Sequence, residues 1–358
     1  MGVTKIEWTS THNPDGTITP GYTFNPWEGC SKVSEGCKNC YAEERSKRFK
    51  TVEWGPGGTR RRTSKANWKK PLAWNKQAEA EGVRKRVFCA SLADVFEDRP
   101  ELHKWRTDLF TLILQTSNLD WLLLTKRPEN VMPSIDAAFE IAQESDMSSD
   151  AKKSLFAWSL GALPNNVWIG TSVENQEQAD KRIPELLKVP AKVRFLSMEP
   201  LLGPVDLRHF LTIFDHCPED SEEEGCEGCH GLPNIDEHGE CNAVFTKQLN
   251  WVICGGESGP HARPMHPDWA RSLRDQCQAA GVPFLFKQWG EWVDVENLED
   301  DWEGARRRHW PDSLSRLRME HPPAHCIGGD TEVARVGKHA AGRELDGRTW
   351  DQFPEVHP

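Results

Sequence analysis

Six short apolar runs punctuate the chain: RVFCASL (86–92), DWLLLTK (120–126), NVWIGTS (166–172), VRFLSME (193–199), NWVICGG (250–256) and VPFLFKQ (282–288). Each is continuous in apolar residues rather than alternating, the signature of strands buried on both faces. Helix-patterned stretches lie between them: PELHKWRTDLFTLILQTS before the second, NQEQADKRIPELLKV before the fourth and HPDWARSLRDQCQAAG before the sixth. The last has a His-Pro-Asp entry and a stop at Gly281. Strand, helix, strand in repetition predicts an α/β fold with a parallel sheet, a full or partial (β/α) TIM-like barrel whose first strand is YTFNPWEG, just before Cys30.

The rhythm breaks twice. From about 205 to 249 the chain is acidic, rich in Cys and Gly and poor in aliphatics, which predicts an insertion. After Trp292 it is less periodic and punctuated by glycine. The expected organisation is a barrel over 1–292, carrying a basic excursion at 45–86 and the Cys-rich insertion at 205–249. An extension over 293–358 is expected to pack on the barrel as turns and short strands.

Composition narrows the class. The 358 residues are 37% apolar with a mean hydropathy of -0.66, and no apolar run is long enough to span a membrane. The start, MGVTKIEWTS, lacks the basic, apolar and small-residue pattern of a secretory signal. With eleven cysteines, an odd number in scattered and metal-like spacings, this predicts a reducing cytoplasm rather than a disulfide framework.

Net charge is -11, but it is uneven. Between Arg45 and Arg86, fourteen Lys or Arg face only Glu53, Glu79 and Glu81, and Phe49, Trp54, Trp68 and Trp74 are interspersed. Cations interleaved with aromatics track phosphates and stack on bases, so a nucleic-acid or nucleotide partner is expected; the alternative is a solvated, partly helical excursion.

In a barrel of this kind the chemistry sits at the C-terminal strand ends. That rule selects Cys30; Ser91 and Asp94; Thr125, Lys126 and Arg127; Ser172, Glu174 and Asn175; Ser197 and Glu199; Gly255, Gly256, Glu257 and Ser258; and Lys287, Gln288 and Trp289. Cys30, Cys37 and Cys40 are the outstanding chemistry. A structural zinc is normally closed by a fourth protein ligand, and the nearest other candidate, His12, lies eighteen residues upstream of Cys30. An iron-sulfur cubane gives a reason to stop at three, since the fourth iron is left open for a small molecule.

The segments TKIEW, NPWEGCSKVSEGCKNCYAE, LLTKRPEN, NVWIGTSVENQEQADKRIPELL, VRFLSMEPLLGPVDL, WVICGGESGPHARPMHPDWARSLRDQC, VPFLFKQWGEW and GRELDGRTW resemble the phage Gp37/Gp68 family, also called the DUF5131 family, from about residue 4 to 354. Its three-Cys motif and barrel pattern resemble in turn the radical SAM superfamily. That resemblance implies a [4Fe-4S] cluster on Cys30, Cys37 and Cys40, S-adenosylmethionine on the open iron, an external electron donor, and a 5'-deoxyadenosyl radical that abstracts hydrogen from substrate. The usual superfamily spacing is Cys-x3-Cys-x2-Cys with an aromatic before the third Cys. Here the first gap is six, and Asn39 precedes Cys40 while Tyr41 follows.

On this reading the strand-end residues acquire roles, each beside a structural alternative. Gly255 and Gly256 would let backbone approach adenine or methionine, or simply turn the strand exit. Glu174 and Asn175 would meet ribose hydroxyls, or cap a helix. Ser91 and Asp94 would meet the methionine amino group, with Ser172, Glu199 and Glu257 completing the cofactor wall. Lys126, Arg127 and Lys287 would attract a carboxylate or substrate phosphate, or form rim salt bridges with Glu199 or Glu257.

Cys217, Cys226, Cys229 and Cys241 form a second group, suited to a structural zinc or to an auxiliary iron-sulfur cluster. Cys89, Cys254 and Cys277 read as buried small hydrophobes. The function expected is therefore a radical SAM enzyme acting on a nucleic-acid base or nucleotide in a phage or mobile-element setting. A peptide or partner protein is the alternative substrate, and a zinc-stabilised, non-enzymatic nucleic-acid-binding protein the alternative class.

Overall fold

The computed structural model describes residues 2–12, 16–211, 248–295, 316–319 and 331–355. Its centre is one parallel seven-stranded sheet: β1 (Tyr22–Thr23), β2 (Lys85–Cys89), β3 (Leu119–Thr125), β4 (Val167–Ser172), β5 (Val193–Met198), β6 (Trp251–Gly255) and β7 (Phe284–Gln288). The spatial order is the chain order from β1 to β7, with every pairing parallel. Sequential order without reversal is the winding of a barrel rather than of a doubly wound sheet. The sheet curls into a half-barrel and stays open, with β1 and β7 as its edges.

All six apolar runs are strands, because each is buried on both sides. The helical face packs into the larger core through α3 (Pro100–Leu114), α4 (Val131–Gln143), α5 (Ser149–Ser159), α6 (Gln176–Leu187) and α7 (Pro267–Ala279). Two earlier helices, α1 (Tyr41–Phe49) and α2 (Lys70–Glu81), lie in the basic window. The concave face holds a second cluster of Trp8, Phe88, Leu122, Trp168, Val193, Phe195, Trp251, Ile253 and Leu285. Gly170 makes this interior possible, since a Cβ there would sit 2.3 Å from the Phe195 ring.

An open half-barrel leaves two edges and a concave hollow to protect, and the chain ends supply the cover. Val3 bridges Tyr22 at the β1 edge, and Asp351 bridges Leu285 at the β7 edge. Trp8 from the start and Phe353 from the end pack into the hollow. The extension also forms an antiparallel three-stranded sheet from Trp292–Asp294, Arg316–Met319 and Thr331–Arg335, with Thr331–Arg335 in the middle.

The first strand is shorter than YTFNPWEG suggests. Only Tyr22 and Thr23 pair with β2, whereas Trp27–Glu28 pairs antiparallel with Arg61–Arg62. Pro26, with no N–H to donate, separates the two pairings. Just before it, the Asn25 side chain accepts the Leu92 N–H at 2.7 Å.

Candidate functional site

A cavity of about 670 Å3 opens at the C-terminal ends of the strands, within the roughly 300–1,000 Å3 usual for small-molecule sites. Ile6, Trp8, Phe88 and Leu124 give it an apolar lining, while Cys30, Cys37 and Cys40 all face it. Ser91, Ser172, Ser197, Glu199, Lys287 and Gln288 add polar lining from the strand ends. The three cysteines are unpaired and half-buried.

The loop bearing them is fastened to the half-barrel by three carboxylates that follow alternate strands. After β2, Asp94 accepts hydrogen bonds from Thr125 Oγ1 (2.7 Å) and Arg127 Nη1 (2.8 Å) and from the backbone N–H groups of Phe96 and Lys126. Arg127 in turn reaches the Ser31 carbonyl at 2.8 Å and Cys30 Sγ at 3.7 Å. Arg60 reinforces this anchor, its guanidinium forking onto Glu97 at 2.7 and 2.6 Å and reaching Ser31 Oγ at 2.9 Å.

After β4, Glu174 is wholly buried and joins Lys126 Nζ, Arg182 Nη1 (2.8 Å) and Ser34 Oγ (2.9 Å). Gly36 lies so close that a Cβ would stand 2.3 Å from Glu174 Oε1. After β6, Glu257 accepts from Asn39 Nδ2 at 3.0 Å and is forked by Arg263 at 2.9 and 2.7 Å. Arg263 also pairs with Glu35 at 3.1 Å, and Tyr41 donates to the Ser91 carbonyl at 2.6 Å.

Electrostatics follow from these contacts. Burial, helped by Asp94 and Glu97 and opposed by Arg127, pushes the Cys30 thiol up to about 12. Burial also raises Cys40, against hydrogen bonds from the Glu43 and Ala42 amides. Glu174 goes the other way: burial alone would raise it, but Lys126 and Arg182 more than reverse that and hold it below the ordinary carboxylate range. Glu257 is lowered similarly, its burial outweighed by Arg263 and Asn39.

Several of these side chains are already engaged within the protein. Asn175 is the N-cap of α6, its side chain accepting the Gln178 N–H at 3.1 Å. Asp94, Glu174 and Glu257 spend their oxygens on the cysteine loop and its anchors. Lys126, Arg127 and Lys287 are ion-paired with Glu174, Asp94 and Glu199, the last at 2.6 Å. Gly256 is required by its neighbour strand, since a Cβ would meet the Trp289 carbonyl at 1.9 Å. Gly255 has room for a Cβ, and neither glycine lines the cavity.

The chain belongs to a family recognised across almost its whole length: a family model described as a protein of unknown function, DUF5131, matches residues 3–354. It is a DUF5131 protein. No curated protein and no solved structure matches it.

Part of the basic window of this DUF5131 protein is internal architecture, whereas Lys47, Arg48, Phe49 and Lys50 are exposed. Arg60, Arg61, Arg62 and Arg84 pair with Glu97, Glu28, Asp108 and Asp120. Trp74 stacks on Tyr22 at 4.2 Å, Trp68 stands edge-on to Phe24, and Arg86 lies among Trp168, Trp251 and Phe353. Lys338 and Trp54 are among the cavity residues that escaped the strand-end rule because they come from outside the barrel strands. Lys338 arrives from the extension, and it has no carboxylate partner among the described residues. Trp54 directly precedes Gly55, whose N–H holds the Cys30 carbonyl at 3.0 Å, and its buried indole N–H has no partner among the described residues. Cys217, Cys226, Cys229 and Cys241 lie outside the described residues, whereas Cys89, Cys254 and Cys277 are buried.

Proposed function

We propose that this protein is a radical SAM enzyme, with Cys30, Cys37 and Cys40 holding a [4Fe-4S] cluster at the half-barrel mouth. The observation that carries the reading is three free thiols lining one cavity with no fourth protein ligand gathered beside them among the described residues. Thiolates on a single zinc would lie about 3.8 Å apart, from Zn–S bonds of about 2.3 Å in a tetrahedron. Among the described residues no three His, Cys, Asp or Glu side chains are drawn together as ligands of one ion. A cubane held by three thiolates leaves one iron open for a small molecule, which suits a set of three donors facing a cavity.

When bound, the cluster and S-adenosylmethionine would supply reductive cleavage of the sulfonium to a 5'-deoxyadenosyl radical. The chain's own contribution is positioning. Arg127, Glu174 and Glu257 fix the loop, and Trp8, Phe88 and Leu124 give the site an apolar lining. Ser172, Ser197 and the Glu199–Lys287 pair offer polar partners to the cofactor, and Trp54 offers an unused donor. For substrate the reading is a nucleotide or nucleic-acid base, supported by Lys338 at the mouth, which has no carboxylate partner among the described residues.

Anaerobic reconstitution should give a brown protein with about four irons at this site and an EPR signal that changes on adding S-adenosylmethionine. A variant with all three cysteines changed to Ala that keeps this response, or a colourless wild type with stoichiometric zinc, refutes the reading. For the substrate class, binding of single-stranded DNA or RNA should weaken steeply with salt; no binding at low salt removes nucleic acid, though not free nucleotides.

A further inference from the structure

Eight large apolar side chains are strongly exposed among the described residues, and three of them, Val33, Tyr41 and Phe49, fall within the cysteine loop and the helix that leaves it. Helix α1 starts directly from Cys40, which is its N-cap. Tyr41, Arg45, Arg48 and Phe49 stand at i, i+4, i+7 and i+8, one stripe of the helix. Phe49 is 59% exposed, Tyr41 turns its ring to the cavity with its hydroxyl on the Ser91 carbonyl, and Ala42 and Ser46 carry the buried side. The Arg45 and Arg48 guanidinium groups each lie 5.5 Å from the Phe49 ring centre. Arg61, which shares Glu28 with Arg45, and Lys50 extend the positive rim. At about 1.5 Å per residue the whole stripe lies within roughly 14 Å of Cys40 along the helix axis.

We infer that the α1 stripe is the docking surface for an acidic one-electron donor protein that reduces the cluster. The inference rests on the cluster proposed above, and it names that cluster's partner. The chain has a net charge of -11, yet this patch is positive with an aromatic centre. Small apolar centres with charged rims suit brief electron-transfer encounters, which bury less than about 1,200 Å2 and are steered by charge. Nucleic acid suits the stripe less well. The Phe49 ring is already attended by two guanidiniums, the Tyr41 hydroxyl is tied to Ser91, and Glu43 and Glu44 on the same helix engage Lys47. In the transfer, a flavin hydroquinone on the donor gives one electron and becomes a semiquinone, and the cluster takes that electron and drops by one unit of charge.

The test uses full-length reconstituted protein, mixed anaerobically with a reduced flavodoxin as the donor, beside dithionite as a small reductant. For wild type the flavodoxin rate should fall steeply with salt. Arg48→Glu and the double variant Arg48→Glu/Phe49→Ala should lower that rate roughly tenfold to hundredfold and flatten its salt dependence. Iron content and dithionite reduction should stay at wild-type levels, which also controls for folding. Unchanged flavodoxin rates in a variant that still carries a reducible cluster overturn the docking surface alone. So does binding of a single-stranded oligonucleotide, lost in the variants, with no effect on the flavodoxin rate. Failure of wild type to form any cluster overturns the proposed function, and the docking surface with it.

Discussion

Glu174→Gln asks whether the carboxylates after the strands clamp the cysteine loop. The change keeps the shape of the side chain and removes one charge from a site that is wholly buried. Arg182, itself only 2% exposed, then faces a neutral amide, and Lys126 and Ser34 lose a charged acceptor. Breaking a buried pair from one side costs about 3–5 kcal/mol. The amide still accepts a hydrogen bond and Lys126 reaches solvent, which places the loss near the lower end, about 3 kcal/mol. With an unfolding entropy of about 2.1 cal/mol/K per residue, the chain has about 0.75 kcal/mol/K, so the melting temperature should fall by about 4 °C. Because the folded-state pKa of Glu174 is depressed, its contribution is fully present above the ordinary glutamate value of about 4.3 and is lost as pH falls through the lower folded value. The gap between wild type and variant, measured by urea unfolding, should therefore be full at pH 7 and narrow below about pH 4.3. Alkylation of Cys37 should also speed up as Ser34 is released. A variant within about 0.5 kcal/mol of wild type at pH 7, with unchanged alkylation, would refute the clamp.

Gly36→Ala should act through the same contact, since its Cβ displaces a carboxylate held by Lys126, Arg182 and Ser34; a loss of about 1–3 kcal/mol in chemical unfolding is expected. Combined with Glu174→Gln it should be markedly less than additive, because both remove one contact. Asn175→Ala should lower stability by about 1 kcal/mol through the lost cap while leaving S-adenosylmethionine affinity by calorimetry unchanged. A large drop in that affinity would restore Asn175 to the cofactor wall.

Some of this protein was decided by sequence alone. β2 to β7 are legible because a strand covered on both faces must be apolar throughout, a property of each short segment. The winding from strand to helix to strand then fixes which ends carry chemistry, and so brings Cys30, Ser91, Ser172, Glu199 and Lys287 to one mouth before any coordinates are considered. Capping is equally local, and Asn175 could be read as a cap from its place before α6. Partner choice is not local. Whether Glu174 faces a ribose or a loop depends on Ser34, 140 residues away in sequence, and whether Glu257 is free depends on Asn39, 218 residues away. The basic window shows the same limit, because composition reports how many cations and aromatics are present but not that Arg60 meets Glu97 or that Trp74 lies on Tyr22. Charged and aromatic side chains take their meaning from whichever group the fold sets within a few ångströms. Tertiary structure alone therefore decided that Asp94, Glu174 and Glu257 hold the three-cysteine loop and its anchors.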